Sequence, residues 1–252
     1  MIGLIGGTGI SKILSSGKEE IIHTKYGKSK VLIDKENDVA LLFRHGANHN
    51  TPPHKINYKA NIAALKKLGV CCILATNAVG SLKEQYAPGS FFVPNDFMEF
   101  TKQRESTYYN GENGEVVHID VSNPFCPNLS NTIKEILNKR NYSYGEGTII
   151  CTEGPRFETK SEIKFYKTIG DVVGMTTYPE VVLARELQLC YSSICTITNY
   201  CTGISKKELT VSEVYETINE IEEKIITIVE DFINYNLNNC NYCKSILESA
   251  KM

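Results

Sequence analysis

Small polar residues follow several apolar stretches of the chain, and their types and spacing suit the binding of an anion. Residues 6–9 (GGTG) offer approachable backbone N–H groups and the Thr8 hydroxyl. Residues 44–46 (RHG) add an imidazole and a guanidinium, whose planar fork of donors matches phosphate. Residues 76–81 (TNAVGS) and 175–177 (MTT) add hydroxyls, an amide and more backbone donors. Together they predict a metal-free oxyanion site, better suited to inorganic phosphate than to a nucleotide.

Each of these segments, taken alone, also has a simpler interpretation. Glycine turns after strands are common, and GGTG matches neither a P-loop nor a dinucleotide-binding fingerprint. Arg44 and His45 would be equally ordinary as an exposed arginine and a turn histidine. None of the segments carries a cluster of carboxylates, histidines or cysteines suited to a metal. The prediction therefore depends on whether the fold brings the segments together.

The stretch 194–204 (ICTITNYCTGI) ends an apolar strand on an amide, Asn199, with Cys201 two residues on. An asparagine at a strand end commonly begins a turn, because its side chain can bond its own backbone. The alternative is that Asn199 points into a pocket and contacts a ligand. The stretch by itself leaves both interpretations open.

Strands and helices alternate along the chain, which predicts a single α/β domain, 1–252, around a mixed central sheet flanked by helices. Strands are expected at the amino terminus and within 39–46, 70–80, 147–157, 171–180 and 190–200. Helices are expected over 56–70, from Pro179, and over about 210–238, before a weakly patterned tail, 239–252. Five of the apolar strands end in polar residues. Since ligands of α/β sheets collect beyond the carboxyl ends of strands, these ends predict one shared site.

The composition narrows the class of protein. The chain has 252 residues, 42% of them hydrophobic, and a formal net charge of −2. No basic run favours a nucleic acid or an acidic membrane surface as partner. The apolar amino terminus is too short and too rich in glycine for a secretory signal, and no apolar run reaches the length of a membrane span. We therefore expect a soluble cytoplasmic protein.

Nine cysteines are many for a cytoplasmic protein. Only Cys240 and Cys243 form a CxxC pair, and no second pair has zinc-ribbon spacing, so a structural zinc ion is not expected. The simplest expectation is buried thiols that behave as small apolar side chains. The alternative is internal disulfides among Cys126, Cys190, Cys195 and the terminal pair.

Several long segments resemble the trimeric purine nucleoside phosphorylases, and within them the 5′-methylthioadenosine phosphorylase branch. The matching segments, in family order, are GLIGGTGI, RHGANHNTPPHKINYKANIAALKKLGV, TNAVGSL, HIDVSNPFCP, TEGPRFETKSE and VVGMTTYPEVVLARE. The resemblance implies a mixed sheet covered on both faces and a homotrimer, or a pair of trimers, with sites shared between subunits. It also implies phosphorolysis of a purine nucleoside to free base and ribose 1-phosphate, with inorganic phosphate as co-substrate and no cofactor or metal.

The resemblance assigns roles to residues by position. It places the phosphate on Thr8, Arg44, His45, Asn77, the backbone of Ala78, and Thr176. It places the base on Phe157, Glu158, Asn199 and Cys201, with Phe157 stacking on the ring. It places the sugar on Met175, through its backbone N–H, and on His118 of a neighbouring subunit, which covers the 5′ end. Catalysis would fall to Arg44 and His45 at the phosphate and to Asn199 at the departing base.

The base-binding positions favour a 6-oxopurine. Family members that act on 6-aminopurines carry aspartate at the positions of Asn199 and Cys201. An ionised carboxylate accepts from an exocyclic amine but cannot donate to a carbonyl, whereas an amide can accept from N7–H and donate to O6. Glu158 stands where 6-oxopurine members place a glutamate that accepts from N1–H, a group that adenine lacks.

The 5′ pocket favours a methylthio group over a hydroxyl. Members that take ordinary nucleosides place a histidine near the start of the last long helix, where this chain has Val211, with Val214 and Tyr215 one turn on. Valine cannot hydrogen-bond a hydroxyl. We therefore expect S-methyl-5′-thioinosine as substrate. A general inosine and guanosine phosphorylase, a 5′-methylthioadenosine phosphorylase and a non-catalytic purine-binding protein remain alternatives.

Overall fold

The expected alternation of strands and helices is present in the computed structural model, which describes residues 1–6, 17–46, 48–112, 114–204, 210–235, 243–248 and 250. The described strands are β1 (Ile2–Gly6), β2 (Lys18–Thr24), β3 (Gly27–Asp34), β4 (Val39–Phe43), β5 (Cys72–Ser81), β6 (Phe91–Phe100), β7 (Tyr144–Thr152), β8 (Val172–Gly174) and β9 (Cys190–Tyr200). The described helices are α1 (Tyr58–Lys67), α2 (Pro127–Lys139), α3 (Lys160–Tyr166), α4 (Thr177–Glu186) and α5 (Val211–Ile233). Among these elements, β2, β3, β6, α2 and α3 have no counterpart in the sequence prediction.

Local features set the ends of helices α4 and α5, two of the helices predicted from the sequence. The Thr210 side chain accepts the Glu213 N–H and caps α5, which ends at Ile233, before the predicted 238. Helix α4 spans Thr177–Glu186, but Tyr178 has extended backbone (φ −102°, ψ 136°), so its regular part begins at Pro179, as predicted.

The nine described strands form one mixed sheet, as predicted, in the order β2-β3-β4-β1-β5-β8-β7-β6-β9. Strands β4, β1, β5 and β9 run parallel to one another, and so do β6, β7 and β8. Strand β5 pairs with both β8 and β9. The strands β5, β8, β7, β6 and β9 therefore close on themselves into a small barrel at one end of the sheet.

Alternate residues of the central strands pack on opposite faces of the sheet. Leu4 belongs to the apolar cluster that includes α2 and α5, while its neighbour Ile5 belongs to the cluster that includes α1 and α4. Leu41 and Leu42 divide in the same way. This two-sided burial explains why the central strands read as continuous apolar runs in the sequence.

The polar strand ends meet because parallel strands end at one edge of the sheet and because the barrel closes. The sequence pattern predicted only the first of these two arrangements. The parallel strands β1, β4, β5 and β9 have their carboxyl ends at one edge of the sheet, as predicted. Strand β8 runs antiparallel to β5 and pairs only with its last residues, Gly80 with Val173 and Ser81 with Val172. The residues that follow β8 therefore reach the same place through closure of the barrel.

Among the described residues, no helix combines the length and apolarity that a membrane crossing requires.

Candidate active site

A cavity of about 440 Å³ opens where the strand ends converge. This volume is in the range of sites that bind small molecules. Its walls come from the segments that follow β4, β7 and β8, from the last residues of β5 and β9, and from the first turns of α5. The described residues therefore form one shared site at the strand ends, as predicted.

Most of the predicted site residues line this cavity. They are Arg44, His45, Asn77, Ala78, Phe157, Glu158, Met175, Thr176, Asn199, Cys201, Val211, Val214 and Tyr215. Thr8 lies outside the described residues. His118 does not line the cavity of its own chain; its backbone N–H donates to the Ala250 carbonyl at 3.0 Å.

Arg44 is buried at the cavity wall in a bidentate ion pair with Glu180. Its Nε and one terminal nitrogen each donate to the Glu180 carboxylate at 2.7 Å, and both side chains are about 1% exposed. The remaining terminal nitrogen donates to the Thr76 carbonyl at 3.0 Å, and the Tyr191 hydroxyl donates to Glu180 at 2.9 Å. Glu180, through its charge and hydrogen bonds, raises the pKa of Arg44 despite the opposing effect of burial. The guanidinium is therefore fixed in plane, and its charge is compensated before any anion arrives.

His45 is neutral at physiological pH. Burial lowers its pKa to about 4, and the neighbouring Arg44 acts in the same direction. Its Nδ1 lies 2.9 Å from the Thr51 carbonyl, which can only accept, so Nδ1 carries the proton. Nε2 is then left as an acceptor, and the ring also lies against His49, with centroids 4.6 Å apart.

Asn77 has one unsatisfied amide atom. Its Nδ2 lies 3.1 Å from the Thr177 Oγ1 and 3.3 Å from the Ser193 Oγ, while Oδ1 is buried without a hydrogen-bond partner. The N and O atoms of an amide are hard to tell apart, so the Asn77 amide can also be placed the other way round. The Thr177 and Ser193 hydroxyls would then donate to Oδ1. In that orientation the orphaned position would be an N–H donor. Thr176 precedes α4 without capping it through its side chain. At this end of α4 the Tyr178 N–H donates to the Cys151 Sγ at 3.4 Å, and Pro179 has no N–H.

At the other side of the cavity, Asn199 is held in one orientation. Its Oδ1 accepts from the Thr198 hydroxyl at 2.8 Å, and its Nδ2 donates to the Tyr200 carbonyl at 3.0 Å. One lone pair and one N–H of the amide are left over. Asn199 is therefore part of the cavity wall and does not merely begin a turn.

Gly80 allows Asn199 and Cys201 to come close to β5. A Cβ atom at Gly80 would lie 2.7 Å from the Cys201 Sγ and 3.0 Å from the Asn199 Nδ2. The register between β5 and β9 shifts between Val79 and Gly80, which turns Asn199 toward the cavity.

Glu158 and Cys201 complete this side of the cavity. Glu158 is buried and accepts from the Thr152 hydroxyl at 2.7 Å. Burial raises the pKa of Glu158, and burial together with the Glu158 charge raises the pKa of the Cys201 thiol. Cys201 is therefore a neutral thiol at physiological pH, beside a carboxyl group that accepts a hydrogen bond.

Apolar and aromatic side chains form the mouth of the cavity. Phe157, Val211 and Tyr215 remain 37%, 57% and 39% exposed, which is unusual for large apolar groups beside a cavity. His49 lies edge-on to the Tyr215 ring, with centroids 6.4 Å apart. Sequence reasoning missed His49, although it belongs to the segment that carries Arg44 and His45.

Arg104 is another residue that sequence reasoning missed. Its terminal nitrogens donate to the carbonyls of Thr152, Glu153 and Tyr178, and its Nε donates to the Glu153 carboxylate at 3.1 Å. It thereby joins the segment before Phe157 to the start of α4. No local sequence pattern marks Arg104 for this role, since its partners are about 50 and 74 residues away.

The buried pair of Arg44 and Glu180 generates a stability prediction. We expect Glu180→Gln to lower the free energy of unfolding by about 3–5 kcal/mol, because it leaves the guanidinium buried without its counter-ion. Tyr191→Phe should cost only about 1–2 kcal/mol, because it removes one hydrogen bond to a charge that stays paired. Urea unfolding at pH 7 measures both. Equal costs for the two variants would show that the ion pair does not anchor this wall.

The burial of His45 generates a pH prediction. The unfolded chain takes up a proton at His45 near pH 6.5, whereas the folded chain resists it until about pH 4. The stability associated with neutral His45 is therefore present above pH 6.5 and is lost as the pH falls toward 4. Urea unfolding between pH 7 and 4.5 should show a smaller loss for His45→Asn, which keeps a donor for Thr51, than for the wild type. Identical pH dependence in the two proteins would contradict the prediction.

Comparison with known proteins agrees with this architecture. The phosphorylase superfamily matches residues 2–234. A probable S-methyl-5′-thioinosine phosphorylase of Methanocaldococcus jannaschii is 66% identical over 251 residues, covering 99% of each chain. A probable 6-oxopurine nucleoside phosphorylase of Dictyoglomus turgidum is 52% identical over 232 residues, covering 89% of this chain and 87% of that protein.

Among solved structures, the methylthioadenosine phosphorylase of Schistosoma mansoni in complex with adenine superposes with a TM-score of 0.93. It is 30% identical and covers 100% of this chain and 98% of that chain. The family match spans most of the chain, the relatives are similar over nearly their whole length, and the cavity lies at the strand ends. The chain belongs to the phosphorylase superfamily.

Proposed function

We propose that the protein catalyses phosphorolysis of S-methyl-5′-thioinosine to hypoxanthine and 5-methylthioribose 1-phosphate. The observation that carries this proposal is the amide of Asn199, which is fixed by Thr198 and Tyr200 and keeps one lone pair and one N–H in reserve. That pair of functions suits N7–H and O6 of a 6-oxopurine together. The names of the relatives from M. jannaschii and D. turgidum support the same substrate class.

Glu158 and Cys201 support the choice of oxygen at the sixth position of the purine. An ionised Glu158 can accept from N1–H, which hypoxanthine has and adenine lacks. A neutral Cys201 offers no carboxylate to an exocyclic amine. As the glycosidic bond breaks, negative charge builds on the base, and the Asn199 N–H donates to O6 where that charge collects.

The phosphate is proposed to bind on the opposite side of the sugar. Arg44 is already neutralised by Glu180, so attraction would come from the guanidinium N–H bonds that Glu180 and the Thr76 carbonyl leave unused. His45 Nε2 can accept a hydrogen bond from the P–OH group of hydrogen phosphate. If the Asn77 amide is turned over, its Nδ2 takes the position that now lacks a partner and can donate to the same anion. Bound phosphate would then stabilise the oxocarbenium-like sugar and capture it at C1.

The mouth of the cavity is proposed to receive the 5′ end of the sugar. Val211 and Val214 offer an apolar wall for a methylthio group, and Phe157 offers a ring on which the base stacks. In a homotrimer, His118 of a neighbouring subunit would cover the 5′ end, and the exposed groups at the mouth are consistent with such a cover.

A substrate panel tests the proposal. With phosphate present, kcat/KM for S-methyl-5′-thioinosine should exceed that for 5′-methylthioadenosine by roughly 10⁴-fold, as expected where buried polar groups are left unpaired by the wrong substrate. Inosine and guanosine should be slower, because the apolar wall leaves their 5′-hydroxyl unsatisfied. Faster turnover of the adenine substrate would overturn the proposal, and release of base without phosphate would exclude phosphorolysis.

A double variant tests whether the base is recognised where we propose. Asn199→Asp with Cys201→Asp should move the ratio of kcat/KM toward 5′-methylthioadenosine, because two carboxylates can accept from the exocyclic amine. The ratio is the relevant measurement, since a new carboxylate beside Glu158 will also slow both reactions. Cys195→Ser, on the same strand but outside the cavity, is the matched control. An unchanged ratio in the double variant would place base recognition elsewhere.

A further inference from the structure

Three cysteines from distant parts of the chain meet on the side of the sheet covered by α2 and α5. Cys126 precedes the first residue of α2, Cys190 begins β9, and Cys243 lies in the turns after α5. Their three Sγ atoms all lie within 4.8 Å of one another, and all three residues are at most 2% exposed. No spacing rule anticipates this group, because its members are more than 50 residues apart in sequence.

The distances suit a shared metal ion. Three sulfurs that each lie about 2.3 Å from a zinc-sized ion stand about 4 Å from one another. The three Sγ atoms are therefore within about 1 Å of a coordinating arrangement. A disulfide would join two of the sulfurs and leave the third unused, and the described cysteines form no disulfide.

A helix end favours thiolate at Cys126, and apolar side chains exclude water from the three sulfurs. Cys126 is the N-cap residue of α2, and its side chain makes no capping hydrogen bond with the helix. The positive end of a helix stabilises a thiolate at this position. Leu129, Ile133 and Phe232 belong to the same buried apolar cluster as the three cysteines. Soft, polarisable ions with filled d shells are the ions that such a sulfur-only set selects.

We propose that Cys126, Cys190 and Cys243 form a binding site for a thiophilic d¹⁰ cation, of the class of Zn²⁺ and Cu⁺. For a divalent ion M²⁺, three thiols lose their protons and three M–S bonds form, which gives M(SCys)₃⁻ and three H⁺. Binding should therefore release protons and strengthen as the pH rises.

A bound ion would connect the segment that contains Cys243 to the core of the protein. Cys243 belongs to the same terminal segment as Ala250, whose carbonyl accepts the His118 N–H. Cys126 is hydrogen-bonded to β9 through its backbone N–H and the Tyr191 carbonyl at 2.7 Å. An ion shared by the three thiolates would join α2, β9 and this terminal segment at one point. This role is independent of the reaction proposed for the cavity.

Zinc titration of the full chain, reduced with a phosphine that does not bind metals, tests the proposal. We expect one Zn²⁺ per chain, a raised midpoint of thermal unfolding, and ultraviolet sulfur-to-metal charge transfer when Cd²⁺ replaces Zn²⁺. Cys126→Ser, Cys190→Ser and Cys243→Ala should each weaken binding by about 100-fold or more, since loss of a ligand exceeds loss of an outer-shell partner. Circular dichroism of each metal-free variant establishes that it is folded.

Two variants serve as matched controls. Cys195→Ser removes a buried thiol outside the group, and Cys71→Ser removes an exposed thiol whose pKa is lowered to about 6 by its contact with Cys72. Both should bind Zn²⁺ as the wild type does, and so should Cys240→Ser if three thiols suffice. Undetectable binding by the reduced protein, binding that survives loss of Cys243, or a disulfide within the group in protein isolated without reductant would each overturn the proposal.

Discussion

The ion pair between Arg44 and Glu180 is the contact on which the walls of the cavity depend. Arg44 follows β4, Glu180 lies in α4, and Tyr191 of β9 donates to the same carboxylate. Burying two charges has a large desolvation cost. Here the two parallel hydrogen bonds between the guanidinium and the carboxylate offset that cost. The pair therefore fixes the positions of three elements whose ends form the cavity. It also compensates the charge of Arg44 at that wall, so under the proposed function the phosphate would be attracted by the guanidinium N–H bonds that the pair leaves unused.

The opposite wall is positioned by backbone geometry. Gly80 and the register shift beside it let β9 approach β5 so closely that a methyl group would not fit between them. This approach sets Asn199 and Cys201 facing the cavity, and the neighbours of Asn199 then fix the direction of its amide. A fixed amide discriminates between O6 and an amine, whereas a freely turning one would accept either. Under the proposed function, specificity for the base would thus depend on how tightly two strands pack.

The sequence predicted the polar strand ends, the mixed sheet and most of the cavity wall, because each depends on local patterns. Apolar runs that end in polar residues indicate strand ends, and strand ends of α/β sheets gather ligands. The residues that sequence reasoning missed act over long separations. The sequence pattern placed Glu180 in a helix and Tyr191 in a strand, and it assigned Arg104 to no element. Only the closed barrel and the packing of α4 bring them behind the cavity, and no local spacing encodes that closure.

The mouth of the cavity is lined by large apolar side chains that the described residues leave exposed. Val211 begins the apolar stripe of α5, but it is 57% exposed, whereas Ile221 and Ile225 further along the stripe are buried in the core. The first turn of α5 therefore does not serve the core, and exposed valine, tyrosine and phenylalanine side chains in one place favour an apolar occupant. A methylthio group and the stacked base would cover part of this surface. If a neighbouring subunit covers the rest, the 5′ end of the sugar is enclosed only in the assembly. Selection at the 5′ end would then depend on subunit contacts, whereas selection of the base, as proposed, would depend on the residues of one chain.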